Sequence, residues 1–272
     1  MEKIAVSGSF DNIQSPEVRF LEEAAKFGPV HVYLWSDEVV KAQTGINPKF
    51  PQAERRYFLE ALRFVYKVHP VDAVPNPDEL PEIEGFKPRM WVVPQDNDTP
   101  QKRQYCASQG MVYTVIEEFD LKGFPIPGIP QNLPFLKKKV IVTGCYDWLH
   151  SGHVRFFEET AALGDLYVVV GHDENLRLLK GAGHPLFPEE ERRYLVGAIR
   201  FVKQALISSG NGWMDAEPEI EVIRPDIYAV NEDGDKPEKR AFCEQHGLEY
   251  VVLKRRPAEG LPQRESTHLR GF

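Results

Sequence analysis

A chain of 272 residues with 42% hydrophobic and 27% charged side chains has the composition of a soluble globular protein, long enough for one large domain or two small ones. Its net charge of −8, from 41 acidic against 33 basic side chains, argues against general binding along a nucleic-acid backbone, and no apolar run approaches the length of a membrane span. Three cysteines (Cys106, Cys145, Cys243) and a start without a long apolar leader point to a reducing, cytoplasmic setting without a disulfide framework.

The first stretch, residues 3–28 (KIAVSGSFDNIQSPEVRFLEEAAKFG), returns at 139–164 (KVIVTGCYDWLHSGHVRFFEETAALG) with twelve of 26 positions identical. Next, FPQAERRYFLEALRFV (50–65) returns as FPEEERRYLVGAIRFV (187–202). The offset is 136 residues at first and 137 after a one-residue slip. It continues through Pro88/Pro225, Asp96/Asp233, Asp98/Asp235, Lys102/Lys239, Arg103/Arg240, Cys106/Cys243, Gly110/Gly247 and Tyr113/Tyr250. Identities sustained at one offset mark a tandem duplication. The expected domains are therefore 1–118 and 139–272. Residues 119–138, with Pro125, Pro127, Pro130 and Pro134, read as a linker.

In the second copy KKVIVTG is a β-branched run ending at a turn glycine, which reads as a buried strand. Residues 152–163 follow as a helix with Val154, Phe157 and Ala161 on one face. LYVVVGHD is a second strand, and EEERRYLVGAIRFVKQAL reads as one helix with Tyr194, Leu195, Ala198, Ile199 and Val202 inward. DIYAVNED is a third strand, Lys236 to Gln245 a helix closed by Gly247, YVVLKR a fourth strand, and STHLRGF a last helical turn. Strands separated by helices of this length imply βαβ crossovers, so the expected fold is α/β with two tandem Rossmann-like parallel sheets.

His150-Ser151-Gly152-His153 follows a strand directly and opens a helix. Two histidines three apart at a helix N-terminus can address one anion, and the glycine lets the backbone approach it closely. A pair of surface histidines in a turn is the plainer alternative, and the strand–turn–helix context weighs against it. Around this motif, TGCYDWLHSGHVRF resembles the signature of the HxGH nucleotidyltransferase superfamily, and HSGH in particular is similar to the cytidylyltransferases. The resemblance continues in order through HDENLRLLKG, ERRYLVGAIRFVKQAL and RESTHLR, and so covers nearly all of 139–272. The tandem layout resembles that of the ethanolamine-phosphate cytidylyltransferases.

The resemblance implies roles for named residues. His150, His153 and Lys180 would neutralise the phosphates under attack. Thr143, Gly144, Tyr146, Gly152, Arg200, Arg264, Ser266 and Thr267 would bind the nucleotide, with Mg²⁺ entering on the triphosphate and no protein metal ligand assigned. Asp147, Asp173 and Trp213 would face the acceptor. RRPAEGLPQREST is longer than the usual family signature, so Arg256 and Arg264 both stand for its arginine. Several of these have plainer alternatives. Asp147 recurs as Asp11, which allows a turn-stabilising role, and Arg200 recurs as Arg63, which makes a structural role in both copies an equal rival; Trp213 reads equally well as a core plug.

The first copy is an internal control. His150 becomes Gln14, Gly152 becomes Pro16, His153 becomes Glu17, Lys180 becomes Thr44 and Trp213 becomes Asn76. A carboxylate at position 17 repels a phosphate where a histidine attracts one, so 1–118 is expected to be a degenerate, non-catalytic copy packed on the second as an internal pseudo-dimer. The expected activity is transfer of CMP from CTP to a small phosphorylated alcohol with release of pyrophosphate. An adenylyltransferase using ATP on a sugar phosphate or another small acceptor is the first alternative, and a nucleotide-binding regulatory protein without turnover is the second. No nucleic-acid partner and no membrane span are expected.

Overall fold

The computed structural model describes residues 2–126 and 137–269. The chain divides into two units, Met1–Gly123 and Phe124–Phe272. The first runs β1 (Ile4–Gly8), α1 (Ser15–Ala25), β2 (Val30–Trp35), α2 (Asp37–Thr44), α3 (Gln52–Ala61), β3 (Val65–Val71), β4 (Met90–Pro94), α4 (Pro100–Gln109) and β5 (Val112–Ile116). Its five parallel strands lie in the order β3-β2-β1-β4-β5.

The second unit repeats this plan as β6 (Lys139–Gly144), α5 (Ser151–Ala161), β7 (Asp165–Val170), α6 (Asp173–Lys180), α7 (Glu189–Gly197) and β8 (Val202–Ile207). It continues through α8 (Glu217–Ile223), β9 (Ile227–Asn231), α9 (Pro237–His246), β10 (Glu249–Leu253) and α10 (Ser266–Leu269). The order β10-β9-β6-β7-β8, again all parallel, mirrors the first sheet. These strands are β-branched because both faces are covered: Val140, Ile141 and Val142 are all fully buried.

The chain leaves β6 toward β7 and β8, then returns to the other side of β6 for β9 and β10. Right-handed crossovers therefore place α5 and α7 on one face of the sheet and α8 and α9 on the other. The second of these faces packs Ile141, Val169, Tyr228 and Val230 against Ile220, Ile223 and Cys243. The strand order reverses between β6 and β9, and their C-terminal ends open the crevice where such sheets bind ligands.

Two expectations need correction. EEERRYLVGAIRFVKQAL is not one helix: α7 stops at Gly197 and 202–207 is strand β8, paired with β7. Leu195, Ala198, Ile199 and Val202 are spaced as on a helix, but they are all buried by a helix end and a strand start. The expected linker also begins later than residue 119. Glu118–Leu121 is a 3₁₀ turn of the first unit, with the Asp120 carbonyl accepting from Arg19 Nη2 at 2.8 Å. Phe124 belongs to the second unit, its ring 5.9 Å from that of Tyr194 and its carbonyl accepting from Arg193 Nη2 at 2.8 Å. Residues 127–136 of the expected linker lie outside the described residues.

Candidate active site

Strand β6 ends at Gly144 because the chain must turn tightly there. A Cβ on Gly144 would fall 2.8 Å from the Tyr146 ring, and Tyr146 itself takes a left-handed backbone with φ of 51°. The buried Tyr146 ring stands edge-on to His153, centroids 5.3 Å apart, and 5.2 Å from Phe157. Four residues after Tyr146, His150 caps α5: its backbone is extended and its Nδ1 accepts the Gly152 N–H at 3.1 Å. A Cβ at Gly152 would press to 3.0 Å against that imidazole, so a side chain here would have to shift the His150 ring.

The His150 and His153 rings stack with centroids 3.9 Å apart. Burial, and then the positive charges of Arg255 and Arg264, push His150 down to about 3. Burial first, and then His150, Arg255 and Lys180, hold His153 well below its ordinary value. Both rings are neutral at pH 7. Because Nδ1 of His150 accepts a hydrogen bond, its proton resides on Nε2, and that nitrogen is buried without a partner. His153 Nδ1 is likewise buried and unpartnered. An unmade buried hydrogen bond costs about 1–3 kcal/mol, and an anion at the N-terminus of α5 would relieve it.

A second set of residues holds this loop in place. Asp147 accepts from the backbone N–H of Leu186 at 2.5 Å and of Phe187 at 3.2 Å. Asp11 does the same for Lys49 at 2.7 Å and Phe50 at 2.9 Å in the first unit. Arg192 is fully buried and donates to the carbonyls of Phe187, Cys145 and Gly171 and to Asp173 Oδ1, at 2.7–2.9 Å. Its counterpart Arg55 reaches Phe50 O, Ser9 O and Asp37 in the same way. Asp147 and Asp173, expected to face the acceptor, make the same bracing contacts as Asp11 and Asp37 in the first unit. Arg192 was missed as a single residue, although ERRY in both repeats carried the signal.

The remaining candidates separate by position. Lys180 ends α6, exposed, and its charge acts on His153 and on Cys145. Thr143 shares a 2.7 Å hydrogen bond with the Tyr228 hydroxyl. Trp213 is 66% exposed and is no core plug. Its 3₁₀ turn, Gly212–Met214, is locked to α6 by buried Asn175, which donates to Gly212 O at 3.1 Å and accepts from Gly212 N at 2.8 Å. Arg200 does not join the site: it sits in the turn before β8, at the end of the sheet away from the imidazoles.

Arg255, which sequence reasoning passed over when weighing Arg256 against Arg264, also reaches the site. Its N–H donates to Glu232 Oε1 at 3.2 Å, its Nη1 pairs with Asp233 at 2.7 Å and its Nη2 holds the Arg264 carbonyl at 2.9 Å. Arg256 is exposed, whereas Arg264 acts on His150 alongside Arg255. The Ser266 hydroxyl donates to the Trp148 carbonyl at 3.1 Å and ties the C-terminal segment to the histidine loop. The side chain of Thr267 lies outside the described residues.

The cytidylyltransferase-like family matches residues 141–270, the part of the chain that carries this geometry. A FAD synthase of Ferroglobus placidus is 37% identical over 125 residues, covering 45% of this chain and 78% of the relative. This chain belongs to the cytidylyltransferase-like family of HxGH nucleotidyltransferases. A FAD synthase of Thermococcus kodakarensis is 40% identical over 126 residues, 43% of this chain and 79% of that one. A bifunctional protein HldE of Desulfatibacillum aliphaticivorans is 38% identical over 99 residues, 36% of this chain but only 20% of that longer protein. As a family nucleotidyltransferase, the chain keeps in its second unit both histidines of the motif that names the superfamily.

Proposed function

We propose that the second unit transfers a nucleoside monophosphate from a nucleoside triphosphate to the phosphate of a small acceptor, releasing pyrophosphate. One observation carries this reading: two neutral, stacked imidazoles with unpartnered buried nitrogens at a helix N-terminus, facing the charges of Arg255, Arg264 and Lys180. An acceptor phosphate oxygen forms the new bond to the α-phosphorus as the bond to pyrophosphate breaks. The leaving group carries the electron pair away, and no protein nucleophile is required. The Nε2–H of His150 donates to phosphate oxygens as negative charge builds, which is where preorganised donors contribute most. The described residues group no three metal-ligating side chains. Mg²⁺ entering with the triphosphate would supply charge neutralisation there.

Two nucleotides remain in contention, each with its own support. CTP to a phosphorylated alcohol rests on the HSGH signature and the tandem layout. ATP rests on the relatives named FAD synthase, whose product carries an adenylyl group; the chain spans most of their length, and this tips the reading toward ATP. The first unit is proposed as a non-catalytic partner in cis for the second. No helix of the described residues is long and apolar enough to cross a membrane. A cytoplasmic setting is proposed on the sparse cysteines. Pyrophosphate release from each nucleoside triphosphate with a panel of phosphoalcohols, sugar phosphates and FMN tests the activity. Turnover with ATP alone supports adenylyl transfer, turnover with CTP alone supports the cytidylyl reading, and nucleotide binding without pyrophosphate from any acceptor refutes both.

A further inference from the structure

Lys239 stands in the first turn of α9, at the C-terminal end of the sheet, with its ammonium over the Tyr228 ring at 5.8 Å from the centroid. Tyr228 is buried and hydrogen-bonded to Thr143 near the end of β6. The lysine therefore lies beside the crevice between β6 and β9, on the face that carries α8 and α9.

The first copy shows what a lysine here does when it is structural. Its counterpart Lys102 pairs with Asp78 at 3.1 Å, and Asp78 also accepts from Thr99 Oγ1 at 2.7 Å. In the second copy Asp78 becomes Asp215, Thr99 becomes Lys236 and Val71 becomes Ser208. Ser208 now donates to Asp215 at 2.7 Å while accepting the His172 N–H at 3.0 Å, which draws the carboxylate to the end of β8. Among the described residues the Lys239 ammonium is left with no hydrogen bond and no ion pair. Burial lowers its pKa, opposed from a distance by Asp215 and Asp233. A half-buried ammonium with an aromatic face beneath it but no hydrogen bond or counter-ion lowers stability, and the second copy keeps one where the first copy supplies Asp78.

We propose that Lys239 is the acceptor-binding cation, receiving the acceptor's phosphate on the α8/α9 side of the crevice. The imidazoles of α5, on the other face, hold the triphosphate. This division suits an in-line displacement, in which the attacking oxygen and the departing pyrophosphate lie on opposite sides of the α-phosphorus. The proposal rests on the nucleotidyl-transfer reading.

Lys239→Met keeps the stem over Tyr228 and removes the charge, while Lys239→Arg restores it. Inorganic phosphate is titrated calorimetrically into the full-length chain saturated with α,β-methylene ATP or CTP. Its Kd is expected to rise about tenfold or more in the Met variant and to recover toward wild type in the Arg variant, with the Kd of the nucleotide analogue within about twofold. In turnover, the acceptor KM rises in Lys239→Met while the nucleotide KM holds. Equal phosphate affinity in all three proteins, with or without a fall in melting temperature, overturns the proposal. A wild-type protein that binds phosphate through Lys239 yet releases no pyrophosphate overturns the transfer reading and leaves this anion site standing.

Discussion

His150 is fixed from three sides: the Gly152 N–H on Nδ1, the His153 ring at 3.9 Å, and the charges of Arg255 and Arg264 beyond it. Its folded pKa of about 3 lies below the ordinary 6.5, so protonation favours the unfolded chain. The stabilisation it contributes above pH 6.5 is therefore lost as the pH falls toward 3. Urea unfolding of wild type and His150→Gln between pH 7 and 4 should show the wild type losing stability more steeply; parallel curves would remove this residue from the titration. Arg192 is the opposite kind of residue, one whose work is finished on folding. Arg192→Ala strands three carbonyls and Asp173, and should cost about 3–5 kcal/mol in chemical denaturation. Arg200→Ala, remote from the imidazoles, should leave pyrophosphate release unchanged. Residue identity alone could not separate these arginines. Arg255 and Arg256 are neighbours in sequence, and only the path of the chain after β10 turns the first inward and leaves the second exposed.

At the scale of elements, the parallel strands were legible because buried β-branched runs such as VIV and YVVV have no competing pattern. Strand β8 was not: its apolar residues continue the spacing of α7, and pairing with β7 decides the outcome. Turns were legible where they repeat. The bonds that Asp147 and Asp11 accept from the incoming backbone are the same device built twice, and the repeated aspartate already raises that alternative. The 3₁₀ turn that displays Trp213 has no such repeat, and its anchor is Asn175, which is 1% exposed. Asn175→Ala should raise hydrogen exchange across 209–216 by about tenfold while α7 stays protected. Unchanged exchange in 209–216 would mean that the turn is held by Ser208 and Asp215 instead.

For the whole molecule, duplication has preserved the braces and exchanged the residues of the histidine motif. Asp11, Arg55 and Asp37 repeat their partners' bonds in the first unit, while Gln14 and Glu17 replace the imidazoles with a capping box that closes on itself. The exchange extends to a position the motif does not include. Glu118 occupies the place of Arg255: its N–H donates to Gln95 as that of Arg255 does to Glu232, but the side chain brings the opposite charge. Glu118 and Glu17 both line the first unit's cleft of about 660 Å³, at the ends of β1 and β4, with acidic groups where the second copy presents donors. Nucleoside triphosphate should accordingly bind with a stoichiometry of one per chain in equilibrium dialysis, and two per chain would revive the first unit as a nucleotide site. The most direct comparison is between matched substitutions in the two copies, His153→Asn and Glu17→Gln, assayed in the full-length chain for pyrophosphate release. Loss of about 100-fold or more with the first and wild-type rates with the second would place all the chemistry in the second unit. Turnover that survives His153→Asn, or falls with Glu17→Gln in a folded protein, would show that it is placed elsewhere.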